Sequence, residues 1–321
     1  LSERPIGVLL TAYGTPESLD DVEPYLTHIR EHYTYIKGDK KPSPEMVEDL
    51  QRRYRAVGGN SPLTAITRRQ AEALERRLND GAEAPRFKVF VGMKHWHPFI
   101  HDTVTAIAHE GIDRLVGLAL TPQYSRMSVG SYRHEVEKAI EATGKEIRLS
   151  FVEHWHDRPE FLDVLADRVR QAKALLPKEV REEAPVVYTA HSLPARILEW
   201  NDPYPRHLEE TARGASERAG VRTWRIAWQS QGATPVPWLE PTLVETIDAL
   251  AREGARAVIV CPAGFVADHL EVLYDIDIDA KAQAEALGLT LVRTASLNDD
   301  PAFIDALAVV VRDHLRGASL G

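Results

Sequence analysis

Cysteine is almost missing from this chain: its 321 residues contain one, Cys261. A single cysteine excludes an internal disulfide, a cysteine-based zinc site and an all-cysteine iron–sulfur cluster. Such sparing use fits a reducing compartment, and we expect a cytoplasmic protein. No stretch approaches the ~20 consecutive apolar residues of a membrane helix. The short apolar run in the opening LSERPIGVLLTAYGTP is flanked by charge, unlike the core of a signal peptide. Basic blocks are missing too. Lys plus Arg number 39 against 48 Asp plus Glu, a formal charge of −9, which argues against a nucleic-acid partner. The chain has neither a Gly-rich phosphate loop nor a G-x-S-x-G element, so P-loop and nucleophile-elbow chemistry are set aside. What remains is an ordinary globular composition, 44% hydrophobic and 27% charged, long enough for about two domains.

An internal duplication organises those two domains. Residues 5–16 read PIGVLLTAYGTP and residues 185–194 read PVVYTAHSLP, which lays Thr11-Ala12-Tyr13 over Thr189-Ala190-His191. A second echo follows in the same order. FKVFVG, DTVTAIAHEG and LVGLALTP within 87–122 correspond to WRIAW, LVETIDALAREG and AVIVCP within 224–262, with Pro98 over Pro241. Short apolar runs at 6–12, 87–92, 115–120, 147–152, 185–190, 224–228, 257–261 and 289–293 predict buried strands. Helical patterns lie between them, and such alternation predicts two α/β halves with parallel sheets. We expect an N-terminal half over 1–150 and a C-terminal half over 151–300, with an amphipathic helix over 301–316 packing back on one of them. Residues 32–44 predict an exposed loop.

Ligands of open parallel sheets sit beyond the carboxyl ends of the strands. Tyr13 and His191 fall there, one in each half. The other informative segment is GFVADHLEVLYDIDIDAKAQAE, 264–285. Asp268, Glu271, Asp275 and Asp279 are spaced by three, four and four, one stripe if the segment is a single helix. Their mutual repulsion is relieved either by water and salt or by a divalent cation held through oxygen, Mg²⁺ at the ladder being one candidate. His95 and His97, in MKHWHPFIH, are two apart and should project oppositely from an extended stretch, so we read pocket lining or surface rather than a metal site. Cys261, inside VIVCP, reads as core.

AYGTP (12–16), LTHIR (26–30), RRYRAVGGNSPL (52–63), AHSLP (190–194), WQSQG (228–232) and GFVADHLEVLYD (264–275) together resemble the ferrochelatases over nearly the whole chain. The resemblance implies two Rossmann-like halves facing across a cleft, a chelatase-like fold, and insertion of Fe²⁺ into a porphyrin in heme biosynthesis. It is nearer to the coproporphyrin-type enzymes of Gram-positive bacteria, which yield coproheme. It implies that His191 and Glu271 bind the incoming iron and that Tyr13 ligates iron in the product. Arg30, Arg53, Tyr54, Ser61 and Tyr132 are implied around the propionates and the porphyrin edge; the ladder behind Glu271 (Asp268, Asp275 and Asp279) then reads as an outer relay for metal or protons. Iron is then the substrate, no iron–sulfur cluster is expected, and heme-pathway enzymes are the natural transient partners. Other readings are a protoporphyrin IX ferrochelatase, a non-catalytic tetrapyrrole or metal carrier, and a cobalt chelatase. Glu31 and the insertion at 32–41 depart from the family pattern after LTHIR.

Overall fold

The computed structural model describes residues 4–32, 40–81, 86–232, 234 and 236–318. Most of the expected 32–44 loop therefore lies outside the described residues. The chain divides into two units. The first comprises residues 1–120, 128–153 and 298–321, and the second 121–127 and 154–297. This differs from a single boundary near 150. Residues 121–127 belong with the second unit, and the C-terminal helix, Pro301–Ala318, with the first. That helix packs on the helix Leu63–Asn79. Arg69 holds Asp299 with two hydrogen bonds, 3.0 and 3.1 Å, and Arg77 pairs with Asp305.

Each unit is built on one four-stranded parallel sheet flanked by helices. In the first, β1 (Ile6–Ala12), β2 (Phe87–Met93), β3 (Arg114–Ala119) and β4 (Arg148–Val152) take the order β2-β1-β3-β4. In the second, β5 (Val186–His191), β6 (Trp224–Gln229), β7 (Ala257–Cys261) and β8 (Thr290–Arg293) take the order β6-β5-β7-β8. The two orders are the same once the second set is renumbered, as the sequence echoes require. The match extends to loop detail. Met93 N–H donates to the Pro98 carbonyl at 2.7 Å, and Trp228 N–H to the Pro241 carbonyl at 2.9 Å. Both prolines follow cis peptide bonds.

Both first strands are covered on both faces and flanked on both edges, which is why they read as unbroken apolar runs. Every residue of β1 is buried, and β5 is buried through Ala190. In the second unit Val187, Val258 and Val260 pack with Ile247 and Leu250 on one flanking helix and with Val272 and Ile276 on another segment. The helix Leu243–Arg252 starts with a capping box. Thr242 Oγ1 accepts from Glu245 N–H, and the Glu245 carboxylate accepts from Thr242 N–H.

Besides the single helical turn Lys178–Arg181, one helix was not expected, Val22–His32. Pro24 lies in its first turn, where a missing N–H costs nothing, but proline and the sparse apolar positions hide the pattern in sequence. The acidic segment 264–285, read above as one stripe if it were a single helix, is instead helical in three pieces. An α-helical turn, Leu270–Tyr274, runs into a π-helical segment, Asp275–Ala280, and then into Lys281–Ala286. No helix among the described residues is long and apolar enough to cross a membrane.

Candidate functional site

His191 is the last residue of β5, at the carboxyl edge of its sheet. The strand end is pinned from three sides. Ser192 N–H donates to the Gln229 carbonyl (2.7 Å), the Tyr204 hydroxyl donates to the His191 carbonyl (3.0 Å), and Gly264 N–H donates to the Thr189 carbonyl (2.9 Å). A Cβ on Gly264 would lie 2.4 Å from the Cβ of Ala190, so the chain leaving β7 passes β5 here only as glycine. That passage delivers His269 and Glu271 beside His191. Glu271 Oε1 lies 3.4 Å from His191 Nε2, and Oε2 lies 3.5 Å from His269 Nε2. The Gln229 amide donates to the Glu271 carbonyl at 3.2 Å, fixing the start of the helical turn.

The His191 and Glu271 side chains are each 36% exposed, half-buried with one face open. Burial works against the charged imidazole, but the Glu271 carboxylate, the Ser192 carbonyl and Asp275 overcome it and raise His191 to about 9. Burial likewise opposes the Glu271 charge, yet His191 and His269 hold its carboxyl well below the usual range. At neutral pH the pair is an imidazolium and a carboxylate. Burial, with Glu271 and Asp202 nearby, raises the Tyr204 phenol far above its ordinary value, so it stays a donor.

The carboxylate ladder is not one stripe. Asp268 precedes the helical turn, and the π-helical segment changes the register after Asp275. Arg293 supplies counter-charge that the spacing did not reveal. Its Nε and Nη2 donate to the two Asp277 oxygens at 2.7 and 2.9 Å, and its Nη1 reaches Asp268 Oδ1 at 3.3 Å. Ser296 Oγ donates to the same Asp268 oxygen at 2.7 Å. Asp275 accepts a short hydrogen bond from Ser230. Asp279 is exposed. The four acids therefore do not form one continuous ladder: Arg293 engages Asp268, and Asp279 is exposed.

In the first unit Tyr13 follows β1 and is 37% exposed. Its ring lies 4.5 Å from that of His95. His95 is fully buried and His97 exposed, opposite projections as their spacing predicts. His28 and His32 also contact the His95 ring. Burial, helped by Lys94, pushes His95 well below its ordinary value and His32 to about 4, so these rings are neutral at pH 7. Burial brings Lys94 down to about 8; its Nζ donates to Ser131 at 2.8 Å and lies 5.8 Å from the Tyr132 ring centre. Gly14, at φ +95°, lets the backbone turn under Trp96, whose N would be 2.8 Å from a Cβ. Tyr54 is buried, its hydroxyl 2.9 Å from Thr15 Oγ1, which ties it to the Tyr13 loop. Ser61 Oγ accepts from Leu63 N–H at the start of a helix. Arg53 pairs with Asp49 at 3.0 Å, and Arg30 Nε donates to the Lys40 carbonyl at 2.9 Å. Tyr13 thus contacts His95, next to Lys94, which lies near the Tyr132 ring, and Tyr54 joins the Tyr13 loop through Thr15, while Arg30, Arg53 and Ser61 are each anchored locally.

A family-wide sequence profile for ferrochelatases matches residues 5–315. The chain belongs to the ferrochelatase family. It is 46% identical over 305 residues to a Herpetosiphon aurantiacus protein named ferrochelatase, covering 95% of this chain and 97% of that one. It is 43% identical over 316 residues to a Bacillus subtilis protein named coproporphyrin III ferrochelatase, covering 98% and 99%. Among solved structures, the sirohydrochlorin chelatase SirB from Bacillus subtilis, in complex with cobalt, aligns with a TM-score of 0.56 at 12% identity over 97% of this chain and 95% of that one. At that identity the likeness establishes a chelatase fold and nothing more. Ferrochelatases are metal-inserting enzymes of heme and porphyrin biosynthesis, with iron as the metal.

For a ferrochelatase, the pair at the β5 edge offers one imidazole nitrogen and one carboxylate, a donor set suited to Fe²⁺. Sequence reasoning had named that pair but not its supports. Arg293 carries no spacing signal toward Asp268, because that contact runs from strand β8 to the loop before the helical turn, whereas His269 lies two residues before Glu271 in the chain. Ser230 could have been suspected: it lies in WQSQG, and its φ of 61° is uncommon for a residue with a Cβ. Lys94 sits within the MKHWH segment, whose histidines drew attention away from it.

Proposed function

We propose that this ferrochelatase inserts Fe²⁺ into coproporphyrin III to give coproheme, with His191 and Glu271 receiving the metal. The observation that carries the reading is the half-buried His191–Glu271 pair, 3.4 Å apart at the carboxyl edge of β5. Insertion replaces two pyrrole N–H protons by one Fe²⁺ and releases two protons. In the free protein Glu271 neutralises the His191 cation, so the incoming metal competes with one proton for the imidazole. Glu271 then holds metal, and Asp275, close enough to influence His191, continues toward Ser230 as an outer acceptor. Asp268 and Asp279 are left out of that route because one is committed to Arg293 and the other is exposed. Tyr13 is the axial ligand of the product iron in this reading.

Coproporphyrin III carries four carboxylates, and protoporphyrin IX two. Arg30, Arg53 and Lys94 are the cationic candidates for them, with Tyr54, Ser61 and Tyr132 as neutral groups. A well-formed charge-assisted hydrogen bond contributes roughly 1.5–3 kcal/mol, about tenfold or more in affinity. Several relatives at 41–43% identity are named coproporphyrin III ferrochelatases, which supports the tetracarboxylate. The Herpetosiphon relative, named only ferrochelatase, keeps protoporphyrin IX as the second reading. Parallel Fe²⁺-insertion assays on the two porphyrins decide: we expect coproporphyrin III to be favoured at least about tenfold, and Arg53→Ala to shrink that preference. Equal turnover of both, indifferent to Arg30 and Arg53, would establish the protoporphyrin reading instead. Absence of turnover on either would leave a carrier.

A further inference from the structure

A second group of imidazoles lies in the second unit, apart from His191 and Glu271. His154-Trp155-His156-Asp157 precedes the helix Pro159–Leu175, and Trp155, almost fully buried against Phe161, anchors the loop. His156 is 2% exposed, whereas the His154 and Asp157 side chains are 47% and 59% exposed. Donor atoms of these three residues lie within 4.8 Å of one another. A second combination, His156, His207 and Glu210, meets the same spacing.

Protonation chooses between them. His156 Nε2 lies 2.8 Å from Glu210 Oε2. A carboxylate only accepts, so Nε2 carries the hydrogen and Nδ1 keeps its lone pair. That Nδ1 is buried with no hydrogen-bond partner. A buried acceptor without a donor is destabilising, and a cation would satisfy it. The carboxylate, imidazole N–H and opposite lone pair form the arrangement that orients histidine ligands in metal sites. His207, by contrast, accepts from Tyr124 N–H at Nδ1 (3.2 Å), which puts its hydrogen on Nε2 and leaves neither nitrogen for a metal. It stacks on His156 at 3.7 Å with the rings 10° apart, and so holds the ligand ring in place.

We propose that His154, His156 through Nδ1, and Asp157 form a second metal site, for a borderline divalent ion such as Zn²⁺ or Fe²⁺, with Glu210 as the positioning residue. Two imidazoles and one carboxylate select that class over Mg²⁺ or Ca²⁺, which take oxygen ligands. Metal–nitrogen bonds of about 2.0–2.1 Å require the donors to draw closer than they stand. The two exposed side chains, His154 and Asp157, supply that movement while His156 stays fixed.

The test is Zn²⁺ titration by calorimetry on the full chain, with a His191→Ala/Glu271→Gln background beside wild type. We expect about one Zn²⁺ per chain to remain in that background. His154→Ala and Asp157→Asn, both surface changes, should each weaken it at least about tenfold. Glu210→Gln, which removes no ligand, should weaken it about 10–100-fold. The inference does not rest on the reading of His191 and Glu271: if that pair takes no zinc, wild type binds one ion, still sensitive to His154→Ala. Zinc binding that ignores both His154→Ala and Asp157→Asn, or no binding in the background, overturns the proposal. Loss on His207→Gln with His154→Ala silent overturns it in favour of the other donor set.

Discussion

Replacing Glu271 by Gln should move the His191 titration more than any other single change. In the free protein His191 is raised to about 9 from an ordinary 6.5, and Glu271 is the group that overcomes burial. With a midpoint near 9, on the order of one molecule in a hundred carries a neutral His191 ring at pH 7. A divalent ion binding there in the absence of porphyrin must displace that proton. Its apparent affinity should therefore rise about tenfold per pH unit between 7 and 9 and level off above. Glu271→Gln keeps the shape and the burial but removes the charge. The midpoint should then fall to the ordinary value or below it, leaving most rings neutral at pH 7. The linked stability has a definite sign. A folded value above the unfolded one means that the His191 charge stabilises the fold fully below about pH 6.5, and that this contribution is lost as pH rises toward 9. Proton–carbon NMR of the histidine Cε1–H resonances, with His191 assigned from the signal missing in His191→Gln, reads the midpoint directly. A wild-type midpoint at or below 6.5, or one that Glu271→Gln leaves in place, would refute the reasoning.

His191→Ala should lower Fe²⁺ insertion at least about 100-fold while the chain still folds, with the denaturation midpoint lowered below about pH 6.5, where the His191 charge stabilises, and nearly unchanged near pH 9; turnover near wild type would remove it from the site. Tyr13→Phe should change the visible absorption spectrum of the bound iron porphyrin, and an identical spectrum would take the phenol off the iron. Gly264→Ala should destabilise the second unit by about 1–3 kcal/mol and reduce activity as well, because the added carbon meets Ala190 next to His191; chemical denaturation and turnover on the same sample check both. Arg293→Met should cost about 3 kcal/mol by leaving Asp268 and Asp277 without their counter-charge, and Asp268→Asn with Asp277→Asn should recover most of it. If the double change in the Arg293→Met background restores nothing, lost packing rather than charge is the cause.

Much of the architecture was legible because both units use strands buried on two faces. Such strands appear in sequence as unbroken runs such as IGVLLTA and VVYTA, with boundaries set by proline and glycine. The duplication was legible for the same reason, since strand, turn and helix recur in order. The helix Val22–His32 was hidden by Pro24. The break in the acidic helix was hidden because π-helical geometry leaves no mark in the spacing of Asp275, Asp277 and Asp279. At the site, His191 and Glu271 could be named from AHSLP and DHLE. That a salt bridge joins them could not, because it depends on β7 passing β5 at Gly264, a contact between residues 74 positions apart in the chain. Arg293 was invisible for the same reason: Asp268, Glu271, Asp275 and Asp279 drew a reading of mutual repulsion, and the counter-ion of Asp268 came from β8.

The duplicated strand ends have been given opposite electrostatic characters. After β1, Tyr13 stands among neutral rings, with His95 and His32 held uncharged by burial and Lys94 the nearby cation. After β5, His191 stands among acids, Glu271 first and Asp275 behind it, and is held charged. The backbone frame is the same in both, down to the Pro98 and Pro241 carbonyl contacts, so the difference lies in the loops that follow the neighbouring strands. One loop, leaving β2, brings Lys94 and His95; the other, leaving β7, brings His269 and Glu271. An environment of acids attracts a divalent cation, and an environment of neutral imidazoles with one lysine suits carboxylates. In the reading proposed above, metal and porphyrin carboxylates make different demands, and the two strand ends differ in the same sense. Exchanging the two characters in part, by Lys94→Glu, should weaken porphyrin binding measured by fluorescence quenching while leaving Zn²⁺ affinity at the His191–Glu271 pair within about threefold. An equal loss of both would mean that the two environments are not electrostatically separate.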